Sequence, residues 1–130
     1  NDEIEYFIKY LSKERRLYLI SSIPEVGFEV PATLARSIKF NKSKKLKDFT
    51  TSYDVYVDRQ KSSNKTFKLL EKDDKIEFFD SSKVFCNTIS RRCNYTYKGK
   101  PLYFDDDHLN RLGTKILIKK FLEDINYFEK

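Results

Sequence analysis

The period of the apolar residues changes along this chain, and the changes outline helices alternating with strands. Ile4, Phe7, Ile8 and Leu11 recur at three-and-four spacing, which predicts an amphipathic helix beginning after Asn1 and Asp2 and ending near Glu14 or Arg15. Leu17, Tyr18, Leu19 and Ile20 then run without alternation, as in a strand covered on both faces of a parallel sheet, and Ser21-Ser22-Ile23-Pro24 closes it. A loop bounded by Pro24 and Pro31 and bearing Gly27 follows, with Pro31 suited to the first turn of a short helix through Ile38. Tyr53, Tyr56, Val57, Phe67 and Leu70 predict a helical segment between Phe49 and Leu70, weakened at Ser62-Ser63-Asn64, and Ile76, Phe78 and Phe79 predict the next strand. Tyr95-Thr96-Tyr97, Gly99 and Leu102-Tyr103-Phe104 predict a small hairpin that delivers the chain to Asp105. Leu112, Ile116, Leu117, Phe121, Ile125 and Phe128 lie on one broad face of a last helix.

Buried strands alternating with helices define an α/β fold, and the pattern matches the C-terminal portion of a three-layer sheet. A doubly wound sheet needs more strands than these, so N-terminal βα units are expected in another segment. Composition agrees with one folded unit: 130 residues at 39% hydrophobic content, with nine Tyr and eleven Phe, make a single domain over 1–130. No apolar run approaches the roughly 20 residues of a membrane helix, and no basic-then-apolar order marks a signal peptide. Any anchor or export signal is therefore expected outside these residues.

Charge alters the picture in one place. The formal excess of +6 is concentrated at Lys39, Lys42, Lys44, Lys45 and Lys47. Such a run attracts phosphate or an anionic glycan, but no nucleic-acid motif or aromatic platform accompanies it, so a solubilising loop and no nucleic-acid partner are expected.

The candidate chemistry lies in Asp105-Asp106-Asp107-His108-Leu109-Asn110, which holds the only histidine of the chain. A carboxylate three residues before an imidazole, in a turn leading into a helix, folds back to accept a hydrogen bond from one ring nitrogen and frees the other for proton transfer. Asp105 is the candidate orienter and His108 the candidate base of a Ser-His-Asp triad. The plainer alternative is a solvated acidic turn in which Asp107 or Asn110 caps the last helix. Gly27 sits in the loop beyond the first strand, where ligands bind in open α/β sheets, and is a candidate substrate-binding position. Arg91 and Arg92 suit an anionic ligand, or else belong to a solvated loop. Cys86 and Cys93 flank a polar stretch that a hairpin-like loop brings to disulfide distance; the alternative is two buried thiols in a reducing compartment. With no second cysteine pair and no nearby histidine, neither a metal nor another cofactor is expected.

Taken in order, Leu19-Ile20, Ile23-Pro24-Glu25-Val26-Gly27-Phe28-Glu29-Val30-Pro31, Phe85-Cys86, Cys93, Leu102 to Asn110 and Gly113 resemble the SGNH domain fused behind the membrane part of acyltransferase family 3 proteins. The resemblance spans most of the chain. It implies a flavodoxin-like SGNH hydrolase fold, represented by its C-terminal portion, at the periplasmic face of the bacterial inner membrane. It further implies O-acetylation of a polysaccharide acceptor such as lipopolysaccharide O-antigen, with the acyl donor relayed by a membrane acyltransferase domain in the same full-length chain. Residue by residue, Asp105 and His108 match the family's Asp-x-x-His block, Asn110 its helix cap, and Cys86 and Cys93 a cysteine pair, which makes a disulfide the expectation. Gly113 stands where a missing side chain lets the last helix pack close to the sheet. The chain departs from the family in lacking the Gly-Asp-Ser nucleophile block and the oxyanion-hole blocks, since its glycines are Gly27, Gly99 and Gly113. Removing one oxyanion donor costs a working enzyme about 2.7 to 4 kcal/mol, so this segment alone is expected to be inactive, with its serine upstream. The alternatives are an SGNH esterase, or a non-catalytic carbohydrate-binding domain in which Tyr95, Tyr97 and Tyr103 stack on sugar rings.

Overall fold

Residues 2–40 and 51–128 are described by the computed structural model, with side chains to 125. Most of the lysine-rich run, from Lys42 to Lys47, lies outside the described residues, as does the side chain of Phe128.

The first helix, α1 (Asp2–Ser12), ends two or three residues before the expected boundary. At its end Ser12 Oγ lies 2.9 Å from Asp73 Oδ2 and 3.0 Å from the Lys9 carbonyl. Strand β1 (Leu17–Ile20) pairs in parallel with β3 (Ile76–Phe79) in the register Leu17 to Ile76 through Ile20 to Phe79. Helices flank both faces of this pair. Ile8 of α1, with Leu70 and Phe67 of α3 (Tyr53–Leu70), packs with Leu17, Leu19 and Ile76 on one face. On the other, Phe121 of α5 (Arg111–Phe128) meets Tyr18 and Phe79 edge-on, at 5.6 and 5.4 Å between ring centres. The α/β class holds.

Two expectations fail here. β1 has helices on both faces but is not fully buried: Leu17, Tyr18 and Leu19 are half-buried, Ile20 at its end is 39% exposed, and among the described residues the strand has one hydrogen-bonded neighbour. The stripe expected to bury α1 is mostly outside as well. Ile8 is buried, whereas Ile4 and Phe7 are each 59% exposed, because α3 and β3 reach only the Ile8 side of the helix.

Helix α2 (Val30–Lys39) starts one residue before Pro31, which occupies its first turn. Helix α3 begins later than the apolar pattern implies, because Thr51–Ser52 form a short strand, β2, and the Ser52 hydroxyl caps the helix by accepting the Val55 N–H. Ser62-Ser63-Asn64 do not interrupt it. Beyond β3, a single turn, α4 (Ser82–Phe85), leads into β4 (Cys86–Asn87) and β5 (Arg92–Cys93), which join β2 in an antiparallel sheet of order β2-β5-β4. The apolar pattern gives no sign of this sheet, whose two-residue strands are too short to show a period. The expected hairpin is present as β6 (Thr96–Tyr97) and β7 (Lys100–Pro101). Its turn residues Lys98 and Gly99 both have positive φ, 51° and 76°, as a two-residue turn matched to strand twist requires.

Candidate active site

The turn Asp105 to Asn110 is built by short-range hydrogen bonds and held from two sides. Asp105 Oδ1 accepts the backbone N–H groups of Asp107 (3.1 Å) and His108 (2.7 Å), which curls the chain back on itself. Its other oxygen, Oδ2, lies 2.9 Å from His108 Nδ1. Asp107 Oδ1 approaches the same nitrogen at 2.7 Å. The Phe104 N–H donates to the His108 carbonyl at 2.7 Å, closing the base of the turn.

Asn110 ends the turn and starts α5. Its Oδ1 accepts the N–H groups of Leu112 and Gly113 at 2.9 and 3.0 Å, while its Nδ2 donates to the Pro101 carbonyl at 2.8 Å. Asn110 is thus the cap, and Asp107 is free to act on the imidazole. Gly113 is where close approach is decided: a Cβ there would sit 2.2 Å from the Leu102 carbonyl oxygen. The surface that needs this glycine is the backbone just after β7, not the parallel sheet.

On its other side the turn is bonded to the Pro24 to Pro31 loop. The Val26 N–H donates to the Asp106 carbonyl at 2.8 Å, the Val30 N–H to the Asp105 carbonyl at 3.4 Å, and the buried Tyr103 hydroxyl to the Pro24 carbonyl at 2.7 Å. Burial pushes the Tyr103 hydroxyl far up, so it stays a donor. The loop is fixed in turn at the carboxyl ends of β1 and β3. There the Ser22 carbonyl accepts from the Tyr56 and Ser81 hydroxyls at 2.9 and 2.7 Å, and Ser21 Oγ accepts the Ser81 N–H at 2.8 Å. Gly27, with φ of 79°, is the loop position whose conformation favours glycine, and open space surrounds it.

Electrostatics set the protonation of the pair. Asp105 is lowered to about 2, first by the backbone N–H of His108 and then by that of Asp107 and by the imidazole itself. His108 is raised, first by its hydrogen bond to Asp105 and then by the charges of Asp105 and Asp107. Carboxylates only accept hydrogen bonds, so the proton resides on Nδ1 and, in the neutral ring, the lone pair resides on Nε2. The His108 side chain is 74% exposed, and Nε2 bonds to none of the described residues. An oriented imidazole with its second nitrogen open is what a general base requires. Asp105, Asp107 and His108 also form the one grouping among the described residues whose potential metal-ligand atoms lie within 4.8 Å of one another. A metal at Nδ1 would have to displace the proton that both carboxylates hold.

The other candidate residues lie elsewhere. Cys86 and Cys93 face each other across β4 and β5 and form a disulfide, with Cα atoms 3.8 Å apart. Arg91 pairs with Asp54 and lies over the Tyr53 ring at 5.2 Å, at the start of α3. Arg92 pairs through its backbone with Ser52 and Asn87. Tyr95 and Tyr103 are 3% and 1% exposed, so they are core residues and unavailable to stack on a sugar; of the three tyrosines only Tyr97 is exposed. Asp107, as a second partner of Nδ1, and Tyr103, as the tie to the Pro24 loop, emerge only from the structure. The adjacency of Asp107 to His108 is the one signal that pointed to the former.

An α/β domain with an Asp-x-x-His turn clasped against a Pro-Glu-Val-Gly loop is the class that fold and site together define. The family described as SGNH domain (fused to AT3 domains) matches residues 1–123, and the chain belongs to it. No curated protein and no solved structure matches the chain. The family places the domain in a membrane-protein context with an acyl-transfer or esterase-type role, and no described helix is long and apolar enough to cross a membrane.

Proposed function

We propose that this domain supplies the acid–base half of a Ser-His-Asp apparatus for O-acyl transfer. The observation that carries the reading is His108, held at Nδ1 by Asp105 at 2.9 Å with Nε2 open. A serine from a Gly-Asp-Ser segment outside these 130 residues attacks the acyl donor and gives its proton to Nε2. The imidazolium, stabilised by Asp105 and Asp107, returns that proton to the leaving group. In the second half-reaction, Nε2 takes the proton of a sugar hydroxyl as that oxygen attacks the acyl-serine, and returns it to the serine oxygen as the acyl–serine bond breaks. In this reading the acceptor is a cell-surface polysaccharide such as lipopolysaccharide O-antigen, and the membrane acyltransferase domain of the same full-length chain relays the donor. Gly27 belongs, in this reading, to the substrate side of the loop, and an anionic acceptor meets Arg92 and, in exchange for its Asp54 partner, Arg91. The remaining βα units complete a three-layer flavodoxin-like SGNH fold. The disulfide supports a periplasmic location, because such bonds persist in oxidising compartments.

The test is His108→Ala in the full-length protein, with acyl groups on the polysaccharide measured by mass spectrometry. Loss of a triad histidine lowers turnover by about a millionfold in a serine protease, so acylation is expected to vanish. Acylation at the unmodified level would refute the reading. Release of free carboxylic acid with no acylated polysaccharide, in the unmodified protein, would identify an esterase instead.

A further inference from the structure

Lys61, Lys65 and Lys68 recur on α3 at i, i+4 and i+7 and so line one helix face. With Val57, Asn64 and Leu69 they surround a shallow depression of about 450 Å³. None of the three ammonium groups is ion-paired among the described residues, whereas Lys9 pairs with Glu5, and Lys119 and Lys120 pair with carboxylates on α5. Of the two acids on α3, Asp54 is engaged by Arg91, which leaves Asp58 alone against three lysines. Val57 and Leu69 are 40% and 52% exposed, so apolar side chains flank the row. Asn64 Oδ1 is buried in the same depression without a hydrogen-bond partner.

We infer that this face of α3 docks on an anionic phospholipid surface. Headgroup phosphates suit the unpaired ammonium groups. Val57 and Leu69 reach the boundary with the acyl chains. Fusion to a membrane domain keeps such a surface close by. The inference stands apart from the acyl-transfer reading, since it uses neither His108 nor any acceptor.

The test is co-sedimentation of the 130-residue chain with vesicles of phosphatidylcholine alone or mixed with phosphatidylglycerol. Binding is expected only to the mixed vesicles, and it should fall as salt shortens the screening length to about 3 Å at 1 M. Each lysine near an anionic surface contributes about 1 kcal/mol, roughly fivefold, so K61Q/K65Q/K68Q should bind on the order of 100-fold more weakly. A charge-matched control, K98Q/K100Q/K115Q, should bind as the unmodified chain does; these six lysines are all exposed and circular dichroism verifies folding. No phosphatidylglycerol-dependent binding, or equal loss in both triple variants, would overturn the inference. So would capture by a soluble acidic polysaccharide such as heparin with none by vesicles.

Discussion

Among the described residues, nine buried side chains from Val26 to Leu117 form one core around the Asp105 turn, while at the junction of α1, α3, β1 and β3 Ile8, Leu70 and Ile76 are buried together. The first region is tied by hydrogen bonds between distant segments, Val26 to Asp106 and Tyr103 to Pro24. The second leaves Ile4, Phe7, Tyr10 and Ile20 exposed and, among the described residues, gives β1 a single hydrogen-bonded neighbour. The contrast shows where the geometry of the site comes from. An exposed histidine is held in place by buried and half-buried groups one step removed, Tyr103, Gly113 and Asn110 among them, and the parallel strands contribute through Phe79 in that core and through the segments that leave β1 and β3 at Ser22 to Pro24 and Ser81.

The difference is sharpest in a pair of core truncations. Phe85, 2% exposed and packed 6.3 Å from the Tyr103 ring, should lose about 4 kcal/mol on change to Ala, whereas Ile8, at 8% in the sparse cluster, should lose about 2 kcal/mol. Urea unfolding of both variants measures this, and equal losses would erase the distinction between the two regions. Gly113→Ala comes next. Its Cβ would meet the Leu102 carbonyl at 2.2 Å, a backbone atom that cannot rotate away, so about 2 to 3 kcal/mol of overpacking is expected. The Leu102 carbonyl also accepts the Asn110 N–H at 3.0 Å, so the displacement should reach the turn and weaken the Asn110 cap. Unchanged stability in Gly113→Ala would mean that α5 is not seated on the Leu102 backbone.

Features encoded by near neighbours were legible in the sequence. The spacing of Asp105 and His108 is a local constraint, and the turn closes as that spacing implies. Asn110 as cap, Lys98-Gly99 as hairpin turn and Cys86 opposite Cys93 are similarly local, each set within a few residues. The failures arise where tertiary partners decide. The α1 periodicity predicts a buried stripe, but burial depends on what lies opposite, and only the Ile8 side has a partner. The continuous apolar run of β1 reads as a fully covered strand for the same reason. Tyr95 and Tyr103 carry no sequence mark that separates a stacking platform from a core pair, and it is the contacts of Phe28 and Phe85 that place them inside. The β2-β5-β4 sheet joins residues some 40 apart through two-residue strands, too short for any periodic signal.

The finest probe of the well-packed region is the titration of its one exposed functional group. Asp105 holds His108 above the ordinary imidazole value of 6.5, mainly through the 2.9 Å hydrogen bond, with Asp107 adding its charge. Asp105→Asn should therefore lower the His108 pKa, and Asp107→Asn should lower it less, both read from the imidazole proton shifts by NMR. The stability contribution of the raised histidine is complete below pH 6.5 and disappears as pH rises through its folded value. That of Asp105, lowered from 3.8 to about 2, is complete above 3.8 and disappears as pH falls toward about 2. The pair thus contributes most between these two limits, and in Asp105→Asn the loss of stability on leaving that window, toward acid below 3.8 and toward alkali above 6.5, should flatten. In the full-length protein a lower His108 pKa extends the basic form of the imidazole to lower pH, so the acid limb of the rate profile should shift down even as the maximum rate falls. An imidazole that titrates identically with and without the Asp105 charge would show that the turn does not orient it, and the acid–base reading of the site would fail with it.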